Sequence, residues 1–361
     1  MNPADIALSA AETIRYSRHL RLPEVGTIGQ QQLKAARVLV VGCGGLGCPV
    51  LQYLAAAGVG TLGLLDFDTV DDSNLQRQML YATADVGRPK AVVAAEKLTA
   101  QNPFIDLRVH QQLLTVANAL ALLAGYDLVV DCSDNFATRY LVNDACVLLG
   151  KPLVFGAIFK FEGQLSVFNY RNGPTYRCLY PDPPAPGDAP SCADIGVLGV
   201  LPGIVGTLQA NEVLKIILGL GDVLRGRLLL FDALRMSFQL LTFRAVAANQ
   251  HLAGLLPDYE HFCGLPAAVP EISAAELKQK LQTGQPLQLL DVREPAEYAR
   301  RNIGGRLIPL STLLAQLPAL DPAVPIVVHC QAGSRSRQAA ALLREHGFAD
   351  VASLRNGLLD F

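Results

Sequence analysis

Residues 37–47 read RVLVVGCGGLG, a short apolar run that passes directly into a glycine cluster. The run predicts a buried strand, and PVLQYLAAAG (49–58) predicts a helix after it. In this strand–helix context the pattern of Gly42, Gly44 and Gly47 is typical of a phosphate site, because glycines let the backbone approach an anion and a helix N-terminus offers free N–H groups. The stretch therefore predicts nucleotide binding.

A second strand, TLGLLDFD (61–68), places Asp66 at its end. A carboxylate about 20 residues beyond the glycines can bind ribose hydroxyls. These features alone do not separate NAD from ATP.

Strand and helix patterns alternate along the chain. After the first two strands the patterns predict a helix at 89–101, a strand at 105–109, a helix at 116–124, a strand at 127–132, short alternating strands at 151–170, a helix at 204–218 and a strand at 227–233. Such alternation predicts an α/β fold with a doubly wound, mostly parallel sheet of the Rossmann type. From residue 271 a second, smaller alternation begins, which predicts a second α/β domain.

At roughly 100 to 200 residues per domain, a chain of 361 residues should hold two. We expect the first at 1–252, a linker at 253–270, where three prolines occur, and the second at 271–361. A proline- and glycine-rich stretch at 180–190 predicts a loop within the first domain.

Composition excludes several classes of protein. Half of the residues are apolar and the formal net charge is −2, which argues against a disordered chain and against a nucleic-acid partner. The eight scattered cysteines indicate free thiols in a reducing compartment, and the start of the sequence lacks a signal-peptide pattern. The most apolar stretch, 195–220, is interrupted by polar residues, so no membrane span is expected. We expect a cytoplasmic protein.

Three further motifs follow the glycines in order: SNLQRQ (73–78), Lys90 in GRPK, and DCSDN (131–135). With them the first 250 residues or so resemble the MoeB/ThiF family, relatives of the ubiquitin-activating enzymes. The resemblance implies ATP rather than a dinucleotide. The nucleotide-binding residues it implies are Gly42, Gly44, Gly45, Gly47, Asp66, Ser73, Asn74, Leu75, Gln76, Arg77, Lys90, Asp134 and Asn135.

The resemblance also implies catalytic roles. Arg18, in RYSRH, matches an arginine that the family brings from a partner subunit, which implies a homodimer. Arg77, Lys90 and Arg18 would offset the negative charge that builds when a carboxylate attacks the α-phosphate. Asp134 would hold Mg²⁺ through hard oxygen ligands. Taken alone, Asp134 could be a helix cap, and Arg77 and Lys90 could lie on a solvated face. The interpretation as an ATP site depends on the motifs occurring in this order after the glycine loop.

Cys330 ends the apolar strand PIVVHC, and CQAGSR leads into a helix. Such a loop can wrap backbone N–H groups around a thiolate at a helix N-terminus and make it a nucleophile. Together with LLDVREPAEYARRNIGGRLIPL (289–310), this region resembles a rhodanese domain, which implies a persulfide on Cys330. The persulfide loop would comprise Gln331, Ala332, Gly333, Ser334 and Arg335.

Two other cysteine positions bear on function. Cys192 lies in SCADIGVLG. It matches a cysteine of the relatives that combine a MoeB-like and a rhodanese domain, which is proposed to form a covalent link with their partner, a small sulfur-carrier protein. The alternative is that Cys192 is an incidental loop cysteine. Relatives commonly carry two CxxC pairs for zinc, but Thr175 precedes Cys178 here and no second pair occurs before Cys263. A structural zinc site usually has four ligands, so zinc is not expected.

The resemblance implies an adenylyltransferase and sulfurtransferase that uses ATP and Mg²⁺. Its partner would be a ubiquitin-like sulfur carrier of the MoaD or ThiS type with a Gly-Gly C-terminus, and its sulfur would come from a donor such as a cysteine desulfurase or thiosulfate. Two alternatives stay open. One is a conjugating enzyme that forms a carrier thioester and uses the rhodanese unit for docking, and the other is an NAD-dependent oxidoreductase with an appended sulfur domain.

Overall fold

The computed structural model describes residues 6–184, 196–264, 269–331, 333–359 and 361. Two compact units divide the chain, Met1–Tyr259 and Glu260–Phe361.

An eight-stranded sheet forms the centre of the first unit. Its strands are β1 (Arg37–Val41), β2 (Thr61–Leu65), β3 (Asp106–His110), β4 (Leu128–Asp131), β5 (Leu153–Phe159), β6 (Glu162–Phe168), β7 (Arg227–Asp232) and β8 (Ser237–Thr242). The spatial order is β3-β2-β1-β4-β5-β6-β7-β8, parallel from β3 to β5 and antiparallel from β5 to β8. The predicted doubly wound, mostly parallel sheet is confirmed.

The helices of this unit connect and cover the strands. They are α1 (Ala10–Arg15), α2 (Ser17–Leu20), α3 (Gly26–Ala35), α4 (Gly47–Ala57), α5 (Lys90–Gln101), α6 (Ala119–Ala124), α7 (Phe136–Leu148), α8 (Tyr176–Leu179) and α9 (Val200–Leu218). The short helix α10 (Tyr259–Phe262) lies where the two units divide. Because parallel crossovers are right-handed and the strand order reverses between β1 and β4, α4 and α7 lie on opposite faces. A crevice opens at that reversal, beyond the carboxyl ends of the strands.

Two helices begin three or more residues from the predicted position. Helix α9 starts at Val200 rather than near 204, because Pro202 lies in its first turn, where an amide N–H has no partner in the helix. Helix α6 starts at Ala119 rather than 116, because the Asn118 side chain accepts a hydrogen bond from the Thr115 amide, 2.8 Å away, and forms a turn there.

Within the described residues, α9 alone is long and apolar enough to be compared with a membrane span. It is a core helix of the first unit. Gln209 is fully buried and donates to the Asp131 carbonyl over 2.8 Å, and the buried Glu212 accepts from the Leu224 amide over 2.9 Å. These polar contacts belong to a helix that packs against α4, β5 and β6.

The N-terminal helices pack onto their own unit. A capping box of Ser9 and Glu12 starts α1. The buried Tyr16 accepts a hydrogen bond from Asn102 over 2.8 Å. Its ring lies against Gly58, where a Cβ would stand 2.5 Å from the ring carbon Cζ and where φ is +84°. Glycine is therefore required at this end of α4 both for its φ and for the space.

The second unit is a five-stranded parallel sheet in the order β11-β10-β12-β13-β9. Its strands are β9 (Glu271–Ile272), β10 (Gln288–Asp291), β11 (Arg306–Leu307), β12 (Ile326–His329) and β13 (Val351–Leu354), and its helices are α11 (Ala274–Gln282), α12 (Pro295–Arg300), α13 (Leu313–Gln316) and α14 (Ser334–Glu345). The predicted second α/β domain is confirmed. Cys330 directly follows the central strand β12.

Candidate functional site

A cavity of about 220 Å³ opens in the first unit where the strand order reverses. The ends of β1, β2 and β4 form its floor. Eight predicted nucleotide-binding residues line it, namely Gly42, Gly44, Gly45, Asp66, Arg77, Lys90, Asp134 and Asn135. The fold thus brings together motifs that are about ninety positions apart in the sequence, counted from Gly42 to Asp134.

The glycine loop follows β1 with little room for side chains at three positions, and the tightest is Gly47, where a Cβ would clash with the Gly42 carbonyl oxygen. Gly42 has φ +94°, and a Cβ there would stand 2.9 Å from the Cys132 carbonyl oxygen. A Cβ at Gly45 would stand 3.1 Å from Pro202. Glycine therefore keeps the β1–α4 turn tight and leaves its backbone open to a ligand.

Asp66 is held at the end of β2 by backbone hydrogen bonds. Its carboxylate accepts from the Cys43 and Asp68 amides, each over 2.8 Å. Burial raises the pKa of Asp66, and the positive charge of Lys90 opposes that rise. The side chain is fixed beside the glycine loop, as a ribose-binding carboxylate should be.

Local contacts position two cationic side chains of the cavity lining, Lys90 and Arg77. Lys90 is buried at the start of α5, and its Nζ lies 3.1 Å from an Asp68 carboxylate oxygen. Arg77 donates from Nη1 to the Ser73 carbonyl over 2.9 Å. Both side chains line the cavity, where they can stabilise negative charge on a phosphate.

Asp134 and Asn135 follow β4 and have different roles in the structure. Asn135 caps α7 by accepting a hydrogen bond from the Thr138 amide over 2.8 Å. Asp134 is exposed and lines the cavity. Among the described residues no group of three or more histidines, cysteines and carboxylates could enclose a metal. Mg²⁺ commonly takes one protein carboxylate together with substrate phosphates and waters, and Asp134 fits that pattern.

Other predicted residues lie outside the cavity lining. Among the described residues these are Gly47, Ser73, Asn74, Leu75, Gln76 and Arg18. Gly47 begins α4, Ser73 hydrogen-bonds to Asp71 and Arg18 is exposed on α2. Their nucleotide contacts stay predictions.

Sequence reasoning missed several residues of the lining. The polar ones include Asp68, Gln78, Ser133 and Arg139, and the apolar ones include Phe67, Leu113, Leu114, Ile158 and Val197. Asp68 and Gln78 stand within or beside the quoted motifs, so their positions were a usable signal. Arg139 lies in α7 beyond the last motif. It lines the cavity only because the turns of α7 bring its side chain to that side, which the motifs do not indicate.

In the second unit the Cys330 thiol is buried and surrounded by donors. Its Sγ accepts from the Gly333 amide at 3.1 Å and from the Ser336 amide at 3.4 Å. Gly333, with φ +90°, makes the turn into α14, so the sulfur lies at a helix N-terminus. Donors in this arrangement can stabilise negative charge on the sulfur as it enters or leaves a bond. Ala332 lies outside the described residues.

Two ion pairs support this loop. Arg335 pairs with Glu297 through two N–O distances of 2.7 Å. Arg293, fully buried, pairs with Asp291 at 2.6 Å and donates to the Gln331 side chain over 3.3 Å. The Arg335–Glu297 pair and the hydrogen bond from Arg293 to Gln331 join the thiol loop to the DVREPAEY segment, whereas the Arg293–Asp291 pair lies within that segment.

The remaining thiols differ from Cys330. Cys43, Cys48, Cys132 and Cys146 are buried in the first unit, and burial raises the pKa of each, that of Cys48 to about 12. They are therefore packing residues. Cys178 accepts hydrogen bonds from the Thr175 and Val246 amides at 3.4 and 3.3 Å. Cys192 lies outside the described residues, and the absence of zinc stays a prediction.

Residues 16–252 match the ThiF family. The chain belongs to that family. Residues 273–361 match the rhodanese-like domain, so this ThiF-family protein carries a rhodanese-like second unit.

Relatives share both units or the first alone. A probable adenylyltransferase/sulfurtransferase MoeZ from Mycobacterium tuberculosis is 48% identical, with 98% of this chain and 93% of that protein covered. The adenylyltransferase and sulfurtransferase MOCS3 of Bos taurus is 46% identical, with 98% and 85% covered. A sulfur carrier protein adenylyltransferase of Thermus thermophilus is 56% identical, with 70% and 97% covered.

A solved structure shares the fold of the ThiF-family unit. E. coli MccB with MccA-N7isoASN gives a TM-score of 0.58 at 22% identity, with 64% of this chain and 72% of that chain covered. The likeness is one of fold alone. In the ThiF-family unit the cavity combines a glycine loop with three carboxylates and three cations, a set that can bind a nucleoside triphosphate and stabilise charge on its phosphates.

Proposed function

We propose that the chain is an ATP-dependent adenylyltransferase and sulfurtransferase that acts on a ubiquitin-like sulfur carrier of the MoaD or ThiS type. Residues 1–252 would adenylate the carrier's C-terminal glycine carboxylate, 253–270 would be a linker, and 271–361 would supply sulfur. The observation that carries the proposal is the presence, in one chain, of a cavity with Arg77, Lys90 and Asp134 and of a thiol, Cys330, held by backbone N–H groups.

In the first step a carboxylate oxygen of the carrier attacks the α-phosphorus of ATP, and the bond to pyrophosphate breaks. The glycine loop binds phosphate oxygens through backbone N–H groups, and Asp66 binds the ribose. Arg77 and Lys90 stabilise the charge that develops on the phosphates. Asp134 would hold Mg²⁺, which would neutralise phosphate charge when bound.

In the second step the persulfide on Cys330 displaces AMP from the acyl-adenylate. The terminal sulfur bonds to the carbonyl carbon while the carbon–oxygen bond to AMP breaks, which leaves an acyl disulfide. A second thiol then attacks the Cys330 sulfur, so that a thiocarboxylate leaves and a protein disulfide forms. Cys192 is the proposed second thiol, and two equivalents of an external thiol then reduce the protein disulfide to two free thiols and leave as an external disulfide. A cysteine desulfurase or thiosulfate then reloads Cys330.

The proposal includes a homodimer in the cytoplasm. Arg18 is exposed, and in the described part of the chain it is not among the residues that line its own cavity. An arginine in that position is available to the cavity of a second copy, where it would join Arg77, Lys90 and Arg139 as a fourth cation.

Pyrophosphate exchange tests the first step. The full chain is incubated with ATP, labelled pyrophosphate and a MoaD-type or a ThiS-type carrier ending in Gly-Gly, and the expected result is exchange that requires the carrier. After thiosulfate is added, the intact mass of the carrier should show one sulfur in place of one oxygen. A stable covalent carrier–enzyme thioester without that mass change would favour the conjugation alternative, and hydride transfer to NAD without exchange would favour the oxidoreductase.

A further inference from the structure

Three buried polar residues in the cavity wall, Gln78, Ser133 and Arg139, have a side-chain atom without a hydrogen-bond partner among the described residues. Ser133 and Arg139 are 9% and 8% exposed, and both line the cavity. The Arg139 Nε has no hydrogen-bond partner among the described residues, and the Ser133 Oγ has none apart from its interaction with the Asp131 carboxylate, whose pKa it lowers. A buried polar atom without a partner is costly, so these two atoms indicate a polar ligand in the working enzyme.

The guanidinium of Arg139 is held in a fixed orientation. Its Nη2 donates to the Ser133 carbonyl over 3.2 Å, and its Cζ lies 5.3 and 5.7 Å from the ring centroids of Phe136 and Phe155. Cation–π contacts of this kind fix the guanidinium plane. In this orientation the Nε, which is itself buried, is left without a protein partner.

A buried carboxylate compensates the charge of Arg139. Asp131 is 1% exposed, and burial raises its pKa while the positive charge of Arg139 opposes that rise. This neighbour explains how a guanidinium can stay buried before any substrate arrives.

Ser133 and Arg139 lie on a different wall from the phosphate-binding cations. They follow β4, whereas Lys90 lies against Asp68 beyond β2. The Gln78 amide belongs with the phosphate loop, because a Cβ at Gly44 would stand 3.6 Å from its Nε2. The wall near β4 also carries Asp134, the residue proposed to hold Mg²⁺ beside the phosphates, so a group bound by Ser133 and Arg139 would lie next to the phosphates that it attacks.

We propose that Ser133 Oγ and Arg139 Nε bind the C-terminal carboxylate of the carrier and hold it ready to attack ATP. One O–H and one N–H donor match the two oxygens of a carboxylate, and a charged acceptor strengthens both bonds. This assignment rests on the proposed function and adds to it the group that recognises the acyl substrate.

Kinetics of the full chain separate the two substrates. Ser133→Ala removes only one hydroxyl, so the protein should fold normally, while the KM for the carrier in pyrophosphate exchange rises about 10-fold. Arg139→Lys keeps the charge but loses Nε, and we expect a similar rise. In both variants the KM for ATP should change by less than about 2-fold.

A matched pair of carriers tests the carboxylate itself. Binding to the full chain without ATP is measured for one carrier with a free C-terminal carboxylate and for the same carrier amidated there. The wild type should prefer the carboxylate, and both variants should lose most of that preference. Ser166→Ala is the control, because its buried hydroxyl donates to the Arg227 carbonyl over 2.9 Å outside the cavity lining. It should lower stability and leave the preference unchanged.

Three results would overturn the assignment. If only the KM for ATP rises, Ser133 and Arg139 bind the phosphates. If the kinetics are unchanged, the two residues are structural. If the variants prefer the carboxylate form of the carrier as strongly as the wild type does, the two residues do not recognise the carboxylate. Carrier-dependent exchange by the wild type is the reference. Its absence would instead refute the proposed function, and this assignment with it.

Discussion

Glu297 and Arg335 form a two-pronged ion pair at the edge of the thiol loop, with both N–O distances at 2.7 Å. The guanidinium is therefore already engaged by a protein carboxylate. Glu297→Gln should release it for an anionic sulfur donor and lower the KM for thiosulfate by a few-fold, on the scale of an exposed ion pair. Glu345→Gln, on the exposed end of α14, is the charge-matched control and should leave that KM unchanged.

The Glu297–Arg335 ion pair contributes to stability over a defined pH range. Arg335 lowers the pKa of Glu297 from 4.5 to about 2. Because the folded pKa is depressed, the contribution of the pair to stability is complete above the unfolded value and is lost as pH falls toward 2. The kinetic effect of Glu297→Gln should therefore be the same throughout the range from pH 5 to pH 8. An effect that vanished within that range would show that another group titrates.

Asp134→Ala should abolish adenylation while the rhodanese-like unit stays active. The variant loses the carboxylate proposed to hold Mg²⁺, so carrier-dependent pyrophosphate exchange should fall by roughly two orders of magnitude or more. Thiosulfate sulfurtransferase activity should match the wild type. Asp222→Ala, which removes an exposed carboxylate of the same unit, is the control for exchange. Near-normal exchange in Asp134→Ala would contradict the role of this residue.

Cys330→Ala should have the opposite pattern. Without the nucleophile, thiosulfate sulfurtransferase activity and thiocarboxylate formation should be lost, whereas pyrophosphate exchange should continue because its cavity lies in the other unit. Retained thiocarboxylate formation would mean that sulfur reaches the carrier by another route.

Cys192→Ala should leave both adenylation and persulfide formation unchanged. Its proposed part begins after the acyl-adenylate exists, so only the rate of thiocarboxylate release should fall, by an order of magnitude or more if the covalent step is obligatory. Single-turnover mass spectrometry of the carrier measures that rate. Cys263→Ala controls for loss of a thiol as such. Full yield at an unchanged rate would make Cys192 an incidental cysteine.

His329 should make the second unit less stable in mild acid. The side chain is fully buried on β12, and burial lowers its pKa from 6.5. As pH falls below 6.5 the unfolded chain takes up a proton that the folded unit does not, so stability falls by up to about 1.4 kcal/mol per pH unit until the folded pKa is reached. Hydrogen exchange of the β12 amides at pH 7.5 and 5.5, corrected for the intrinsic exchange rates, measures this loss. His329→Gln should lack the slope, and His346→Gln should keep it.

The parts of the site that local pattern determines could be predicted from sequence. A strand, a glycine turn and a helix identify the β1–α4 loop, and the end of β2 identifies Asp66, because these features depend on near neighbours in the chain. Ser133 and Arg139 could not be predicted in the same way. A serine inside DCSDN resembles a turn residue, and an arginine in the first turns of a helix resembles a surface residue, until tertiary packing buries both beside one cavity.

Asn135 shows the reverse limitation. The family resemblance implies a nucleotide contact, while the structure gives its side-chain oxygen a partner at the start of α7. A nucleotide contact and a helix N-cap both use an asparagine at this position, so the sequence pattern alone cannot distinguish the two roles. The start of α9 was misplaced for a similar reason, because proline interrupts the middle of a helix but is accommodated in its first turn.

The contact between Tyr16 and Gly58 limits which amino acids either position can carry. A saturation mutagenesis library scored for adenylation should accept almost nothing but glycine at 58, since any side chain there would occupy the space of the tyrosine ring. A smaller residue at 16 should widen the choice at 58 only toward alanine, because the positive φ still disfavours larger residues. The residues tolerated at position 58 would thus depend on the residue at position 16, although the two positions are 42 residues apart in the sequence. Position 16 lies two residues before Arg18.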